Sequence, residues 1–187
     1  MTRFWFVRHG PTHAKAFAGW RDIPADLSDT AAIARLNALL PAGVPVISSD
    51  LIRASATADA LCRHRPRLPD DPDLREFHFG DWDGLGFAEV AERWPELSRS
   101  YWEEPGHIAP PGGESWVAAA ARIGAAVDRL ARHPEIIVVA HLGVILTQYQ
   151  RAAGIDPRAA LAQPIDTLSV TCLTLAPPAV HCVNHRS

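Results

Sequence analysis

Short apolar segments alternate with longer segments of helical character along most of this 187-residue chain. Residues 2–8, 44–48 and 136–140 are brief runs of mainly apolar residues, which is typical of buried β-strands. Strands that alternate with helices favour an α/β sandwich of three layers, with a mainly parallel sheet and helices on both of its faces. The alternation therefore restricts the chain to one broad fold class before any motif is considered.

Capping residues and apolar periodicity locate the helices more closely. One helix is expected from Ser28 or Asp29 to about Leu40, and another from a cap at Asp50 to about Leu61. Further helices are expected over 87–94, 97–103, 114–132 and 144–153. In the 114–132 helix, the residues predicted to share one apolar face are Val117, Ala120, Ile123, Val127 and Leu130. Residues 168–175 and 179–183 are predicted to form a final antiparallel pair joined at Pro177 and Pro178.

Composition and charge describe an ordinary folded domain. Apolar residues make up 48% of the chain and charged residues 21%, so residues 1–187 are predicted to form a single domain with its own core. The net charge of −3 gives no reason to expect nucleic acid or an anionic membrane as a partner. No apolar run approaches the roughly 18 residues of a membrane span, and no secretory signal is recognisable. We expect a cytoplasmic protein, and the sequence leaves its oligomeric state open.

Cysteine and histidine usage does not predict a metal centre. The three cysteines are odd in number and lack metal-ligand spacing, so free thiols in a reducing compartment are expected. Seven of the nine histidines are interpreted as solvated or capping residues. We therefore expect neither a bound metal nor a cofactor.

The two remaining histidines and two arginines follow predicted strands. Arg8 and His9 end the first strand, His141 follows the strand 136–140, and Arg53 lies one turn into the helix after the second strand. In parallel sheets the ligand lies beyond the carboxyl ends of the strands, so these four side chains should converge at one edge. Guanidinium groups can grip phosphate oxygens in pairs, and a neutral imidazole can attack phosphorus. The sequence thus predicts a site for a small phosphorylated metabolite.

Neighbouring residues supply the remaining parts of such a site. Gly10 would let the backbone approach the ligand, and Thr12 would add a hydroxyl donor. Glu76 is the predicted general acid, because a bound phosphate dianion would raise the pKa of a nearby carboxyl group. Asp81, Asp83 and Glu114 are alternative carboxylates for that role.

Five ordered motifs resemble those of the histidine phosphatase superfamily, which includes the cofactor-dependent phosphoglycerate mutases. The motifs lie in 6–12, 48–58, 74–84, 112–115 and 138–141, with Arg8-His9-Gly10 as the signature. The resemblance implies a phosphoglycerate mutase-like fold in which His9 is phosphorylated. It also implies that Arg8, Arg53 and His141 hold the phosphate and that Glu76 is the acid.

Three positions depart from the family pattern, namely Pro11, Lys15 and Leu142. Leu142 stands where the family usually has Gly, so it should retain a backbone N–H for the phosphate while narrowing the pocket. Lys15 is the one lysine among 18 basic residues. We interpret it as a contact to the phosphate or to another part of the substrate, with chance as the alternative.

The function predicted from these residues is metal-independent hydrolysis of a phosphomonoester through a phosphohistidine. The chain most resembles the alpha-ribazole phosphatases of cobalamin biosynthesis in its 79–82 segment and its small size, which makes alpha-ribazole 5′-phosphate a candidate substrate. A cofactor-dependent phosphoglycerate mutase and a catalytically inactive binding scaffold are the alternatives. Trp82, Trp94, Trp102 and Trp116 could line a substrate cavity or belong to the core.

Overall fold

A five-stranded sheet forms the centre of the structure, a computed structural model that describes residues 1–186. The strands are β1 (Arg3–Arg8), β2 (Val46–Ser48), β3 (Glu135–Ala140), β4 (Val170–Leu175) and β5 (Pro178–His185). Their order across the sheet is β2-β3-β1-β4-β5. β1 and β2 both pair with β3 in parallel, whereas β4 runs antiparallel to β1 and to β5. The mainly parallel core and the antiparallel pair at one edge agree with the prediction.

Seven helices surround this sheet in the described part of the chain. They are α1 (Thr30–Leu39), α2 (Ile52–Cys62), α3 (Phe87–Arg93), α4 (Pro95–Glu103), α5 (Trp116–Arg129), α6 (Leu142–Ala153) and α7 (Pro157–Leu161). Short 3-10 turns occur at Pro72–Leu74, Gly80–Trp82 and Leu130–Arg132. None of the helices within residues 1–186 has both the length and the apolar character that crossing a membrane requires.

The apolar side chains of β3 divide between two cores. Ile136 and Val138 pack on one face with residues of α5 and α6, whereas Ile137 and Val139 pack on the other with residues of α1 and α2. Successive side chains of a strand point to opposite faces, so a strand that is apolar throughout requires cover on both sides. This confirms the three-layer α/β architecture.

Several details differ from the sequence prediction. Asp50 does not cap α2; it pairs with Arg75, and the N–H of Ile52 instead donates to the distant carboxylate of Asp22. Val117 is 42% exposed, because the buried face of α5 begins at Trp116 and continues through Ala119. The short helix α7 was not predicted.

A third, smaller core lies between the loop after β1, which carries Phe17, and the excursion between β2 and β3. It contains Phe17, Trp82, Val90 and Tyr101. Trp82 and Trp94 pack in this core, as the simpler interpretation of the tryptophans predicted. The cluster matters for function because it borders the edge of the sheet where the predicted site residues meet.

Candidate active site

The register of the two central strands places the two histidines side by side. Arg8 pairs with Ala140 at the ends of β1 and β3, and the next residues in the chain are His9 and His141. The N–H of His9 donates to the carbonyl of Ala140 at 3.0 Å. The two imidazole rings consequently lie with their centroids 5.2 Å apart. The predicted convergence at the carboxyl edge of the sheet is therefore observed.

The His9 ring is held in one tautomer and kept neutral. Its Nδ1 lies 2.7 Å from the carbonyl oxygen of Gly10. A carbonyl can only accept, so Nδ1 carries the proton and Nε2 keeps its lone pair. Burial lowers the pKa of His9 to about 3, against a smaller opposing effect of the Gly10 hydrogen bond and with help from the charges of Arg53 and Arg8. His9 thus presents a neutral, oriented imidazole nitrogen near neutral pH.

His141 has no polar partner for either ring nitrogen within residues 1–186, although it is fully buried. Burial is the main cause that holds its pKa well below the ordinary value, followed by the proximity of His9 and Arg53. A buried polar group without a partner costs free energy, which a ligand could recover. His141 therefore has two unengaged ring nitrogens beside His9.

The two arginines approach the same point from different elements. Arg53 in α2 is 1% exposed, and its guanidinium donates to the carbonyls of Gly19 at 2.6 Å and Arg21 at 2.7 Å. Arg8 donates through Nη1 to the carbonyl of Ile165, while its buried Nε has no partner within residues 1–186. The Arg53 contacts fix the loop that carries Gly19 while bringing its positive charge to the histidines.

Glu76 is the carboxylate at this centre. Its Oε1 accepts from the N–H of Phe77 at 2.9 Å and from the N–H of Gly143 at 3.0 Å, whereas Oε2 has one longer contact of 3.2 Å to Gly143. Burial raises the pKa of Glu76, and the two backbone hydrogen bonds oppose that rise. The pKa of Glu76 is therefore raised by burial even without a bound phosphate, whereas the sequence prediction relied on the phosphate to raise it.

The alternative carboxylates are engaged elsewhere. Asp83 accepts from the N–H groups of Gly19 and Arg21, so it anchors the loop that Arg53 also holds. Glu114 forms a bidentate pair with Arg122. Asp81 is exposed. None of the three is among the residues lining the cavity in front of His9.

A cavity of about 240 Å³ opens in front of these groups. The predicted residues that line it are Arg8, His9, Thr12, Arg53, Glu76 and Leu142. Among the described lining residues, the two arginines are the only cations and Glu76 the only carboxylate. The cavity therefore brings together an imidazole, two guanidinium groups and a carboxyl group.

Three predicted ligand contacts lie outside the lining of the cavity, namely Gly10, Lys15 and the fully buried His141. The N–H of Gly10 donates to Oγ1 of Thr57 at 3.0 Å, and a side chain at position 10 would collide with Leu27. Glycine at position 10 thus allows close packing against the neighbouring loop, and a role of Gly10 in the approach of a ligand stays a prediction. Lys15 is exposed, between Ala14 and Ala16, which do line the cavity. A substrate contact for Lys15 stays a prediction.

Sequence reasoning missed several residues of the site. A side chain at Gly143 would press into the Glu76 carboxylate and the ring of Phe77, so glycine permits the hydrogen bond that holds the acid. Phe17 and Phe87 line the cavity together with Phe79 and with Trp102, which the sequence indicated as a possible cavity residue. No periodicity marks these aromatic residues, because they come from a loop and from short helices far apart in the chain.

Comparison with known proteins places these residues in a family. The model of the histidine phosphatase superfamily (branch 1) matches residues 4–186. The chain belongs to the histidine phosphatase superfamily. A bifunctional protein of Mycobacterium tuberculosis is 35% identical over 75% of this chain, and the match spans 41% of that longer protein.

Two further similar proteins are matched over more of their own length. The adenosylcobalamin/alpha-ribazole phosphatase of Escherichia coli is 29% identical over 84% of this chain and 82% of its own. The solved structure of Bacillus stearothermophilus YhfR superposes with a TM-score of 0.87 at 25% identity, covering 100% of this chain and 98% of that one. The superfamily assignment made from the motifs is confirmed.

Proposed function

We propose that this histidine phosphatase superfamily member hydrolyses phosphomonoesters through a phosphohistidine at His9. The observation that carries the proposal is the state of His9, whose Nδ1 is bound to the Gly10 carbonyl while the burial-lowered pKa keeps the ring neutral. The ring lines the cavity beside both arginines. A neutral Nε2 with a free lone pair is the form of histidine that can attack phosphorus.

In the first step, Nε2 of His9 forms a bond to phosphorus while the bond from phosphorus to the ester oxygen breaks. The departing alkoxide takes the proton of Glu76, so a neutral alcohol leaves. Because Oε1 of Glu76 already accepts two backbone hydrogen bonds, Oε2 is the oxygen suited to carry that proton. The step leaves a phosphorylated His9 and an ionised Glu76.

In the second step, water replaces the alcohol. The Glu76 carboxylate takes a proton from the water molecule as its oxygen attacks phosphorus, and the bond between phosphorus and Nε2 breaks. Inorganic phosphate leaves, and both residues regain their starting protonation states.

Arg8 and Arg53 would neutralise the phosphoryl oxygens through both steps, with His141 donating a further hydrogen bond. Since two guanidinium groups already supply the positive charge, we propose that the reaction needs no metal. No group of three histidine, cysteine or acidic side chains suited to hold a metal ion occurs within residues 1–186.

Alpha-ribazole 5′-phosphate is the substrate we propose to test first. Its support is the similarity to the Escherichia coli alpha-ribazole phosphatase over most of both chains. A phosphoglycerate mutase reaction is the alternative, and an assay of 3-phosphoglycerate for isomerisation as well as hydrolysis separates the two.

Trapping the intermediate tests the mechanism. Brief incubation with a ³²P-labelled phosphomonoester in the presence of a chelator should label His9 through an acid-labile, alkali-stable bond. His9→Ala should abolish both the label and turnover. His64→Ala is the matched control, because His64 is exposed and lies outside the cavity.

Three results would contradict the proposal. One is label on a serine or a carboxylate, and another is full turnover by His9→Ala. The third is loss of activity in chelator that added metal restores, which would assign the charge neutralisation to a metal ion.

A further inference from the structure

The outer part of the cavity is built from aromatic rings, a feature the phosphoryl chemistry does not require. Phe17, Phe79, Phe87 and Trp102 line the cavity; together we call them the aromatic wall. Phe17 is the centre of the group, with ring centroids 4.5 Å from Phe87 and 5.0 Å from Phe79. The wall is thus a packed unit rather than a set of isolated rings.

Two members of the aromatic wall are open to solvent. Phe87 is 59% exposed and Trp102 is 38% exposed, which places them among the largest exposed apolar side chains of the described residues. Clustered exposed aromatic surface costs free energy in water and commonly marks a ligand-binding surface. Since these two rings border the same cavity as His9, the part of the substrate bonded to phosphate would meet them.

Charge is confined to the inner end of the cavity. The only cations among its described lining residues are Arg8 and Arg53. Both are committed to the phosphoryl group under the proposed function. A second anionic group on the substrate would therefore face the aromatic wall without a cationic partner from the lining.

Apolar lining also continues behind the cavity. Glu76, Phe79, Trp102 and Leu142 are shared with an adjoining cavity of about 70 Å³, whose other walls include Phe77, Tyr101 and Trp116. Leu142 lies on the boundary between the two cavities. Apart from Glu76, the residues around the leaving group are therefore apolar behind the cavity as well as at its surface.

We propose that the aromatic wall is a subsite for the alcohol portion of the substrate. That alcohol portion is flat and apolar, and it carries no second anionic group. This inference rests on the proposed function, because it takes the inner end of the cavity as the phosphoryl site. The wall packs against the face of an aromatic alcohol, and it discriminates against phosphorylated acids by leaving their carboxylates unpaired.

Binding of non-hydrolysable phosphonates tests the subsite without turnover. Calorimetry on the wild-type protein would compare 2-phenylethylphosphonate, ethylphosphonate and 3-phosphonopropionate. We expect the phenyl compound to bind at least about 10-fold more tightly than the ethyl compound, because it buries an additional ring. We expect the carboxylate of 3-phosphonopropionate to give no gain over ethyl.

Substitutions in the wall should act on the phenyl compound alone. Trp102→Ala and Phe87→Ala should each weaken its binding by roughly 3- to 10-fold and leave the binding of inorganic phosphate unchanged. Both side chains are partly solvent-exposed, so the variants should fold. Val117→Ala is the control, because Val117 is exposed but lines neither cavity.

The subsite proposal is wrong if 3-phosphonopropionate binds more tightly than the phenyl compound. That result would indicate that Lys15 contacts the carboxylate. The proposal is also wrong if the Trp102→Ala, Phe87→Ala double variant keeps wild-type affinity for the phenyl compound. Failure of the proposed function has a different signature: His9 takes no label from any ester, whereas the phosphonate preference is as expected.

Discussion

Glu76 has an asymmetric environment that suits a carboxyl group which must hold a proton and then release it. Oε1 accepts from two backbone N–H groups, while Oε2 has a single longer contact. Burial raises the pKa of the group, so the protonated form persists to a higher pH than for an exposed glutamate. Reaction of a poor leaving group requires that proton, so its rate should fall as pH rises through the pKa of Glu76.

We expect Glu76→Gln to lose roughly 10²- to 10⁴-fold in kcat/KM for an alkyl phosphate, the typical contribution of general acid catalysis. The loss should be far smaller for p-nitrophenyl phosphate, whose leaving group needs little protonation, and the alkaline fall in rate should disappear. Steady-state kinetics on both substrates from pH 5 to 9 provide the measurement. Equal losses on the two substrates would show that Glu76 acts structurally.

The sequence could identify the site residues that end a β-strand or directly follow one. Arg8, His9 and His141 directly follow or end apolar strands, so the parallel pairing of β1 and β3 determines where they meet. Gly143 could not be assigned, because its role depends on how closely the Glu76 loop approaches the start of α6. The orientation of Lys15 is likewise not determined by any strand or helix.

At the scale of elements, one arginine of α5 holds the loop that carries Glu76, the proposed acid. Arg122 grips Glu114 with two hydrogen bonds and donates to the backbone carbonyls of Asp73, Arg75 and Glu76. The ring nitrogen of Trp20 also donates to the Glu76 carbonyl. The position of the Glu76 carboxyl group therefore depends on α5, although α5 contributes no group to the cavity lining.

Arg122→Lys keeps a positive charge but removes the planar fork that makes these contacts. We expect kcat for an alkyl phosphate to fall roughly 10- to 100-fold, since small displacements of a catalytic group have large effects. KM should change little, and p-nitrophenyl phosphate should be less affected than the alkyl ester. Arg129→Lys is the matched control on the same helix, where the arginine pairs with surface carboxylates. A loss shared equally by both substrates would assign Arg122 to stability alone.

Element boundaries show where local sequence stops being informative. Asp29 caps α1 as expected, because the capping contact is made within the next three residues. At the N-terminus of α2, the backbone N–H of Ile52 instead donates to the carboxylate of Asp22, 30 residues earlier in the chain. Asp50 accepts a hydrogen bond from Arg75. Contacts of that kind depend on the folded chain and leave no local pattern.

At the scale of the whole molecule, the fold was predictable because its sheet is covered on both faces. Continuous apolar strands and amphipathic helices are repeated along the chain, and they specify three layers before any contact is known. The aromatic wall is different. Phe17, Phe79, Phe87 and Trp102 come from a loop, a turn and two short helices, and only the packing of the excursion brings them together.

The buried neutral histidines also make the stability of the whole molecule depend on pH. The folded-state pKa of His9 is about 3 against an ordinary value of 6.5, and that of His141 is lowered as well. Below about pH 6.5 the unfolded chain binds protons that the folded protein does not, so the free energy of unfolding falls as pH falls. Above that pH both states are unprotonated at these positions, and the effect vanishes.

We therefore expect the free energy of unfolding to decrease between pH 7.5 and 5, with His9 contributing roughly 2 kcal/mol of that loss at pH 5. His9→Gln should show a shallower decrease over this range, whatever its stability at pH 7.5, because it removes one group that must stay neutral to fold. Urea titrations in phosphate-free buffer measure the effect, with His64→Gln as an exposed control that should retain the wild-type slope. If His9→Gln and wild type lose stability in parallel, burial does not lower the pKa of His9, and the claim that the folded protein keeps this ring neutral well below its ordinary pKa is wrong.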